Sequence, residues 1–135
     1  MHVFVYGSLT EPVQVSRVLD SYVFVGPAVL SGLHAVEGEY PTLAPGGSVG
    51  GRLMRTEDVD ALDAYEGVDR GLYVRVSVPF CGDAPDDPDD VEVYVGDPAA
   101  LGVSADVDWS GDEEADLATS VAAYVAAHDV AVSPA

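Results

Sequence analysis

Residues 72–80, LYVRVSVPF, decide the fold class of this chain. Apolar and polar side chains alternate through the stretch, which is the period of a β-strand with one face on a core. Residues 91–95 repeat the alternation, and the intervening loop is rich in Pro and Asp. The pattern predicts a β-hairpin whose polar face carries Tyr73, Arg75 and Tyr94 together.

Outward from this hairpin, further strands are predicted where β-branched and aromatic residues run between Gly and Pro breaks, at residues 2–6, 22–25, 28–33 and 50–54. Helices are predicted at residues 11–19, 56–67 and 112–128. Thr10 and Thr56 are expected to cap the first two helices. About six strands with three helices predict one α+β domain over residues 1–135, with a curved or closed sheet that is largely antiparallel.

Composition limits the possible partners. The net charge is −19, yet 48% of residues are hydrophobic and mean hydropathy is +0.18, so a folded core is expected. Nucleic acid is excluded as a partner because the arginines are scattered singly and there is no lysine. We interpret the acidity as adaptation to a salty cytoplasm, with an acidic surface for a cationic partner as the alternative.

Location and metal binding are also addressed by the sequence. No apolar run approaches membrane-spanning length and no basic leader is visible, so we expect a cytoplasmic protein without membrane contact. Cys81 is the single cysteine, which excludes an internal disulfide. The loop carrying Asp86, Asp87, Asp89 and Asp90 lacks the spacing and Gly of a calcium loop, and no metal site is predicted.

A first chemical lead is Glu66, near the end of the second predicted helix. At about 100° per residue it falls between Val59 and Leu62 on the apolar stripe. Burial and the negative end of the helix dipole would both raise the pKa of this carboxyl towards the range that is useful for proton transfer. The alternative is a Glu at a frayed terminus that turns into solvent.

A second lead is the stretch Tyr6-Gly7-Ser8-Leu9, where a strand runs into a tight turn before a helix. Free backbone N–H groups at such a turn suit an anion or a developing oxyanion. The alternative is an ordinary connection, since strand to turn to helix is common.

These leads, with Tyr40-Pro41, the stretch LDAYEG at residues 62–67 and Tyr73-Val74-Arg75, occur in an order that resembles the γ-glutamylcyclotransferase-like superfamily, in particular its AIG2-like branch. The resemblance covers roughly residues 3–95. It implies a small mixed or antiparallel β-barrel flanked by a few α-helices, with a cavity between the Tyr6–Leu9 turn and Glu66. It also implies that Glu66 is the catalytic acid/base.

The activity implied by the resemblance is conversion of a γ-glutamyl amine or peptide to 5-oxoproline and a free amine, without metal or cofactor. Leu9 stands where glutathione-directed members commonly carry Asn, so the chain is more similar to the γ-glutamylamine branch. The residues expected to bind the small-molecule substrate are Tyr6, Gly7, Ser8, Leu9, Tyr73, Arg75 and Tyr94. For Arg75, an outward-facing side chain is the alternative.

Two other functions stay open at this point. One is a non-catalytic small-molecule-binding protein that keeps the cavity of the family. The other uses the C-terminal helix as a surface for a homodimer or another partner. An unpaired buried carboxylate in a site without chemistry would cost several kcal/mol, which favours the enzyme.

Overall fold

The computed structural model describes residues 1–36, 42–82, 84–85, 87–98, 100–101, 107, 109 and 116–135, without the side chain of Ser8. In these ranges the chain forms six strands: β1 (His2–Val5), β2 (Val23–Val36), β3 (Thr42–Arg55), β4 (Tyr73–Pro79), β5 (Asp90–Gly96) and β6 (Ala131–Pro134). Three α-helices accompany them: α1 (Pro12–Val18), α2 (Val59–Glu66) and α3 (Leu117–Ala127).

The strands form one mixed sheet in the order β4-β5-β1-β3-β2-β6. β1 is parallel to β5, and the other neighbours are antiparallel. The sheet is curled, so that its two edge strands, β4 and β6, approach each other. Phe80, just after β4, forms a bridge with Val132 of β6, and the Cys81 N–H donates to the Val132 carbonyl at 2.8 Å. The predicted α+β fold with a curved sheet and a few helices is confirmed.

Side chains on the two faces of the sheet build two cores. The first core takes residues from all six strands and from α3, whereas the second packs β1, β3, β4 and β5 against α1 and α2. Strand β1 shows the alternation directly, since Phe4 belongs to the first core and Val3 and Val5 belong to the second. Both faces of β1 are therefore covered, and the second core is the one that surrounds the site described below.

The predicted hairpin is confirmed, with β4 and β5 antiparallel and Arg75 opposite Tyr94. The face that the sequence presents as polar is nevertheless largely covered. Tyr73 and Tyr94 are buried in the second core, while Val76 is buried in the first.

Three strand predictions are wrong at their boundaries. The strand predicted at residues 50–54 begins eight residues earlier, because β3 pairs with β2 from Thr42 onward. The segments at residues 22–25 and 28–33 are one strand, β2, because a shift in pairing between Phe24 and Gly26 carries the strand through the Gly26–Pro27 break. Strand β6 was not predicted, because a four-residue strand after a helix carries little periodicity.

Both predicted threonine caps are also wrong. The Thr10 hydroxyl donates to the Gly7 carbonyl at 2.6 Å within a 3₁₀ turn (Gly7–Thr10), and the residue preceding α1 is Glu11. The buried Thr56 hydroxyl donates to the Ser21 carbonyl and accepts from the Asp58 N–H. Helix α2 therefore begins three residues later, at Val59.

The C-terminal helix is confirmed over Leu117–Ala127, with Val121 and Val125 buried; residues 112–115 of the predicted span lie outside the described residues. The Asp116 side chain accepts from the Thr119 N–H at 2.8 Å and caps the helix. His128, the residue after the helix, is exposed and its ring stacks on that of Tyr124, with the ring centroids 4.2 Å apart. Among the described helices, none has the length and apolar character needed to span a bilayer.

Candidate active site

A cavity of about 410 Å³ lies where β1, the turn after it, the end of α2 and the β4–β5 hairpin meet. Its lining residues are Phe4, Val5, Tyr6, Leu9, Tyr65, Glu66, Arg70, Leu72, Tyr73, Tyr94 and Leu101. The volume suits a small molecule, and the lining combines aromatic walls with a few polar groups, as ligand sites commonly do.

Burial separates the lining into a floor and a rim. Phe4, Leu9 and Leu101 are almost fully buried and form the floor. Tyr65 and Arg70 are exposed and lie at the rim. A ligand entering the cavity passes the rim pair and reaches a water-poor, apolar floor.

Glu66 is the last residue of α2 and lines the cavity, rather than turning into solvent. The helix stops because Gly67 takes a left-handed conformation, with φ 72°. Burial raises the pKa of the Glu66 carboxyl to about 7, since removal from water disfavours its charged form. Within the described part of the chain, no side chain forms a hydrogen bond or ion pair with this carboxyl, so the group is open to a ligand.

Asp63, one turn earlier on α2, is fully engaged in contrast. The Tyr94 hydroxyl donates to its Oδ1 at 2.6 Å, and Arg75 Nη1 lies 3.6 Å from its Oδ2. Burial, and then the hydrogen bond to Asp63, raise the pKa of Tyr94 well above its ordinary value. The Tyr94 side chain is thereby held protonated and oriented at the cavity wall.

Arg75 accordingly lies outside the cavity lining, although the sequence pattern and the family resemblance predict it among the substrate-binding residues. It is not the outward-facing side chain of the alternative either, because it is half-buried against Asp63 and also contacts Met1 Sδ at 3.8 Å. Arg75 is therefore connected to the cavity indirectly, because it pairs with Asp63, and Asp63 accepts a hydrogen bond from the cavity-lining Tyr94.

The Tyr6–Leu9 turn forms the wall opposite α2. The Tyr6 hydroxyl donates to the Tyr94 carbonyl at 3.0 Å, which ties the end of β1 to β5. Burial, the neighbouring Tyr73 and Glu66 raise the pKa of Tyr6 well above its ordinary value. Leu9 and Tyr6 line the cavity, Gly7 is not among the lining residues, and the side chain of Ser8 lies outside the described residues.

The structure thus brings together five of the predicted site residues, and these are Tyr6, Leu9, Glu66, Tyr73 and Tyr94. It adds Tyr65 and Arg70 at the rim, which sequence reasoning missed. Tyr65 is next to Glu66 in the sequence and is held by a hydrogen bond from Gln14 Nε2 at 3.0 Å, and that contact depends on how α1 packs beside α2. The predicted Tyr40-Pro41 contribution lies outside the described residues.

Across the described ranges, no cluster of three or more His, Cys, Asp or Glu side chains is arranged to hold a metal ion. Asp86 of the acidic loop lies outside these ranges.

A curled mixed sheet with a half-buried carboxyl facing a cavity at its side defines a small α+β protein of the γ-glutamylcyclotransferase-like fold. The family model described as "Gamma-glutamyl cyclotransferase, AIG2-like" matches residues 3–111. The chain belongs to this family, as the motif order predicts.

Solved structures support the fold. A protein named "Gamma-glutamyl cyclotransferase" superposes with a TM-score of 0.58 at 19% identity, covering 72% of this chain and 66% of that one. An uncharacterized protein from Homo sapiens superposes with a TM-score of 0.61 at 21% identity, covering 71% of this chain and 66% of that one. A protein from Arabidopsis thaliana, solved in solution, is 30% identical with a TM-score of 0.50, covering 77% of this chain and 68% of that one.

The chain spans just under two thirds of the length of the first two of these proteins. No curated protein was found to match it in sequence. At these identities the first two superpositions establish a shared fold.

Proposed function

We propose that the protein is a γ-glutamyl cyclotransferase that converts a γ-glutamyl amine or peptide to 5-oxoproline and the free amine, with Glu66 as the acid/base. The observation that carries the proposal is the Glu66 carboxyl, unpaired among the described residues and facing a cavity in a chain of this family. Its pKa of about 7 lets it accept and return a proton near neutrality.

The substrate carries its own nucleophile, so the protein has to hold the γ-glutamyl chain in a folded conformation and does not need to supply a nucleophile. The α-amine of the γ-glutamyl group attacks the γ-carbonyl carbon, a C–N bond forms within a five-membered ring, and the original amide C–N bond breaks. The α-ammonium loses two protons as it becomes the lactam N–H, and Glu66 relays them in turn to the departing nitrogen, which leaves as an ammonium, so that the protons balance and Glu66 ends the cycle unchanged. Confinement in the cavity supplies the proximity that favours ring closure.

Other residues are assigned supporting roles. The α-carboxylate or the developing oxyanion is assigned to the backbone amides of the turn after β1, as a tight turn before a helix can do, and Leu9 is the residue of that turn that lines the cavity. Tyr73 and Tyr94 form the walls around the folded γ-glutamyl chain. Arg75 is a positioning residue in this proposal, acting through Asp63 on the Tyr94 hydroxyl.

The test is release of 5-oxoproline from a panel of γ-glutamyl amino acids, γ-glutamyl amines and glutathione, at low and at molar KCl. Glu66→Gln preserves the size of the side chain and removes its acid/base function, so turnover should fall by roughly 100-fold or more. Asp60→Asn is the matched control, since it makes the same charge change at an exposed position in the first turn of α2.

Full turnover in Glu66→Gln would overturn the assigned role of Glu66. No release from any panel member by the folded wild-type protein would overturn the cyclotransferase assignment. Calorimetric titration with 5-oxoproline would then test the binding-protein alternative.

A further inference from the structure

Arg70 gives the rim of the cavity a positive charge that no role assigned above uses. Glu66 and Arg70 are the charged side chains among the described residues that line the cavity. Glu66 is half-buried, whereas Arg70 is exposed at the rim beside Tyr65. An acid/base group and a cation therefore face the same space at different depths.

The chain holds Arg70 in this place by a tight turn directly after Glu66. The Arg70 and Leu72 N–H groups both donate to the Gly67 carbonyl at 3.0 Å. Arg70 Nη2 lies 3.0 Å from the position that a Cβ on Gly67 would occupy. The guanidinium is thus packed over the residue that follows Glu66, which keeps it close to the proposed reaction centre.

The other arginines beside this region have partners, whereas Arg70 has none among the residues that the structure describes. Arg75 pairs with Asp63, while Arg52 donates to the Thr10 carbonyl at 2.9 Å and lies 4.1 Å over the Phe24 ring. For Arg70, no carboxylate or other acceptor among the described residues forms a hydrogen bond or ion pair with its side chain. In a chain of net charge −19, a guanidinium without a carboxylate partner at a cavity rim is available to an anionic ligand.

We propose that Arg70 binds a carboxylate on the leaving group, so that the preferred substrates are γ-glutamyl amino acids and peptides with a carboxylate next to the scissile amide, rather than γ-glutamyl amines. The inference rests on the proposed function and specifies its substrate class. Leu9 makes the sequence more similar to the γ-glutamylamine branch, whereas this inference favours substrates whose leaving group carries a carboxylate.

The orientation of the substrate explains the assignment. The γ-glutamyl group must fold inside the cavity so that its α-amine reaches its own γ-carbonyl. The departing amine leaves towards water and therefore lies at the exposed rim, where Tyr65 and Arg70 are found. A guanidinium recognises a carboxylate through two parallel N–H donors, which an uncharged alkylamine cannot accept.

The experiment compares two substrates that differ only in the carboxylate, γ-glutamylalanine and γ-glutamylethylamine. The specificity ratio is kcat/KM for the first divided by kcat/KM for the second, measured by 5-oxoproline release at one moderate KCl concentration. The wild-type ratio should be about 10- to 100-fold in favour of γ-glutamylalanine. Arg70→Gln should lower that ratio by at least about tenfold, and Arg70→Lys should restore part of it.

Arg17→Gln is the matched control, because Arg17 is exposed on α1, is absent from the cavity lining and makes the same change in net charge. It should leave the ratio at the wild-type value. Thermal unfolding of each variant establishes that the measured protein is folded.

A second measurement is independent of turnover. Calorimetric titration of the Glu66→Gln protein with γ-glutamylalanine and γ-glutamylethylamine should show tighter binding of γ-glutamylalanine, and adding Arg70→Gln should remove the difference. If wild-type protein releases no 5-oxoproline, the proposed function fails, and this titration alone decides the role of Arg70.

Three results would overturn the inference. One is a wild-type ratio near or below unity. Another is an equal loss for both substrates in Arg70→Gln, which would place Arg70 on the shared α-carboxylate or in a purely structural role. The third is equal binding of the two compounds to Glu66→Gln, with or without Arg70.

Discussion

Asp63 and Glu66 are two carboxylates one turn apart on α2, and their surroundings differ. Asp63 accepts a hydrogen bond from Tyr94 and pairs with Arg75, so both of its oxygens have partners. Glu66 faces the cavity without a partner among the described residues, and burial raises its pKa to about 7. The same helix thus carries one carboxylate that is bonded to the cavity wall and one that faces the cavity with a raised pKa.

The difference arises from what packs on each side of the helix end. The β4–β5 hairpin brings Arg75 and Tyr94, which lie opposite each other, under Asp63. After Glu66 the chain turns at Gly67, and the cavity lies between Glu66 and the lining residues Tyr6 and Leu9. Glu66 is therefore largely removed from water by the surrounding protein, and this burial is what raises its pKa.

The largest expected effect is on the pH dependence of the reaction. If Glu66 must be ionised to accept the substrate proton, kcat/KM should fall about tenfold for each pH unit below about 7. Asp63→Asn should lower activity but leave this limb in place, because burial is what raises the pKa of Glu66. If kcat/KM of the wild-type protein instead begins to fall only near pH 4.5, the pKa of Glu66 is not raised and this contrast with Asp63 is wrong.

A second effect concerns stability. The folded-state pKa of Glu66 exceeds its unfolded value, so between about pH 4.5 and 7 the unfolded chain ionises first and folding stability falls as pH rises. Glu66→Gln removes this loss. The variant should gain up to about 3 kcal/mol in unfolding free energy over wild type across that window, and keep the gain above pH 7.

Urea titrations of wild type and Glu66→Gln at pH 4, 6 and 8 measure this difference. Asp60→Asn, on the exposed face of α2, should show no comparable gain. A gain for Glu66→Gln that is the same at all three pH values would contradict a raised pKa.

The helix end itself can be disturbed with Gly67→Ala. At φ 72° a side chain is strained, and a Cβ there would lie 2.7 Å from Leu72 Cδ1 and 3.0 Å from Arg70 Nη2. We expect a loss of about 1–2 kcal/mol in unfolding free energy. Activity should fall as well, because Arg70 must move.

Gly71→Ala offers the matched comparison for that variant. Its φ is 75°, but no atom lies within 4 Å of an added Cβ, so only the backbone strain applies. Equal effects of the two substitutions on activity would show that the crowding at Gly67 does not position the rim.

The smallest effect is expected for the Asp63–Arg75 pair. Both side chains are about a quarter to a third exposed, at 27% and 29%, so Arg75→Gln should cost about 1 kcal/mol or less. A double-mutant cycle with Asp63→Asn isolates the pairing energy, which should shrink in molar KCl. A coupling that is absent at low salt would show that Tyr94, and not Arg75, holds Asp63.

The hairpin and the acid/base candidate are the parts of this protein that local patterns disclose best. Strict alternation over residues 72–80 specifies β4, because a two-residue period survives wherever one face of a strand is buried. The end of α2 was equally visible, since Gly67 after a helical stretch is a common stop signal. The predicted helix starts are wrong because the hydroxyls of Thr10 and Thr56 donate hydrogen bonds to the carbonyls of Gly7 and Ser21, and neither threonine caps a helix.

By itself the sequence determined the α+β class, the hairpin, the helices and the family, because periodicity and motif order are properties of neighbours along the chain. Only the tertiary structure decided that Arg75 pairs with Asp63 while Arg70 faces the cavity. Both are single arginines on exposed-looking stretches, and nothing local distinguishes them. Their roles depend on which distant side chains the curled sheet brings within a few ångströms, and that is set by strand register and packing.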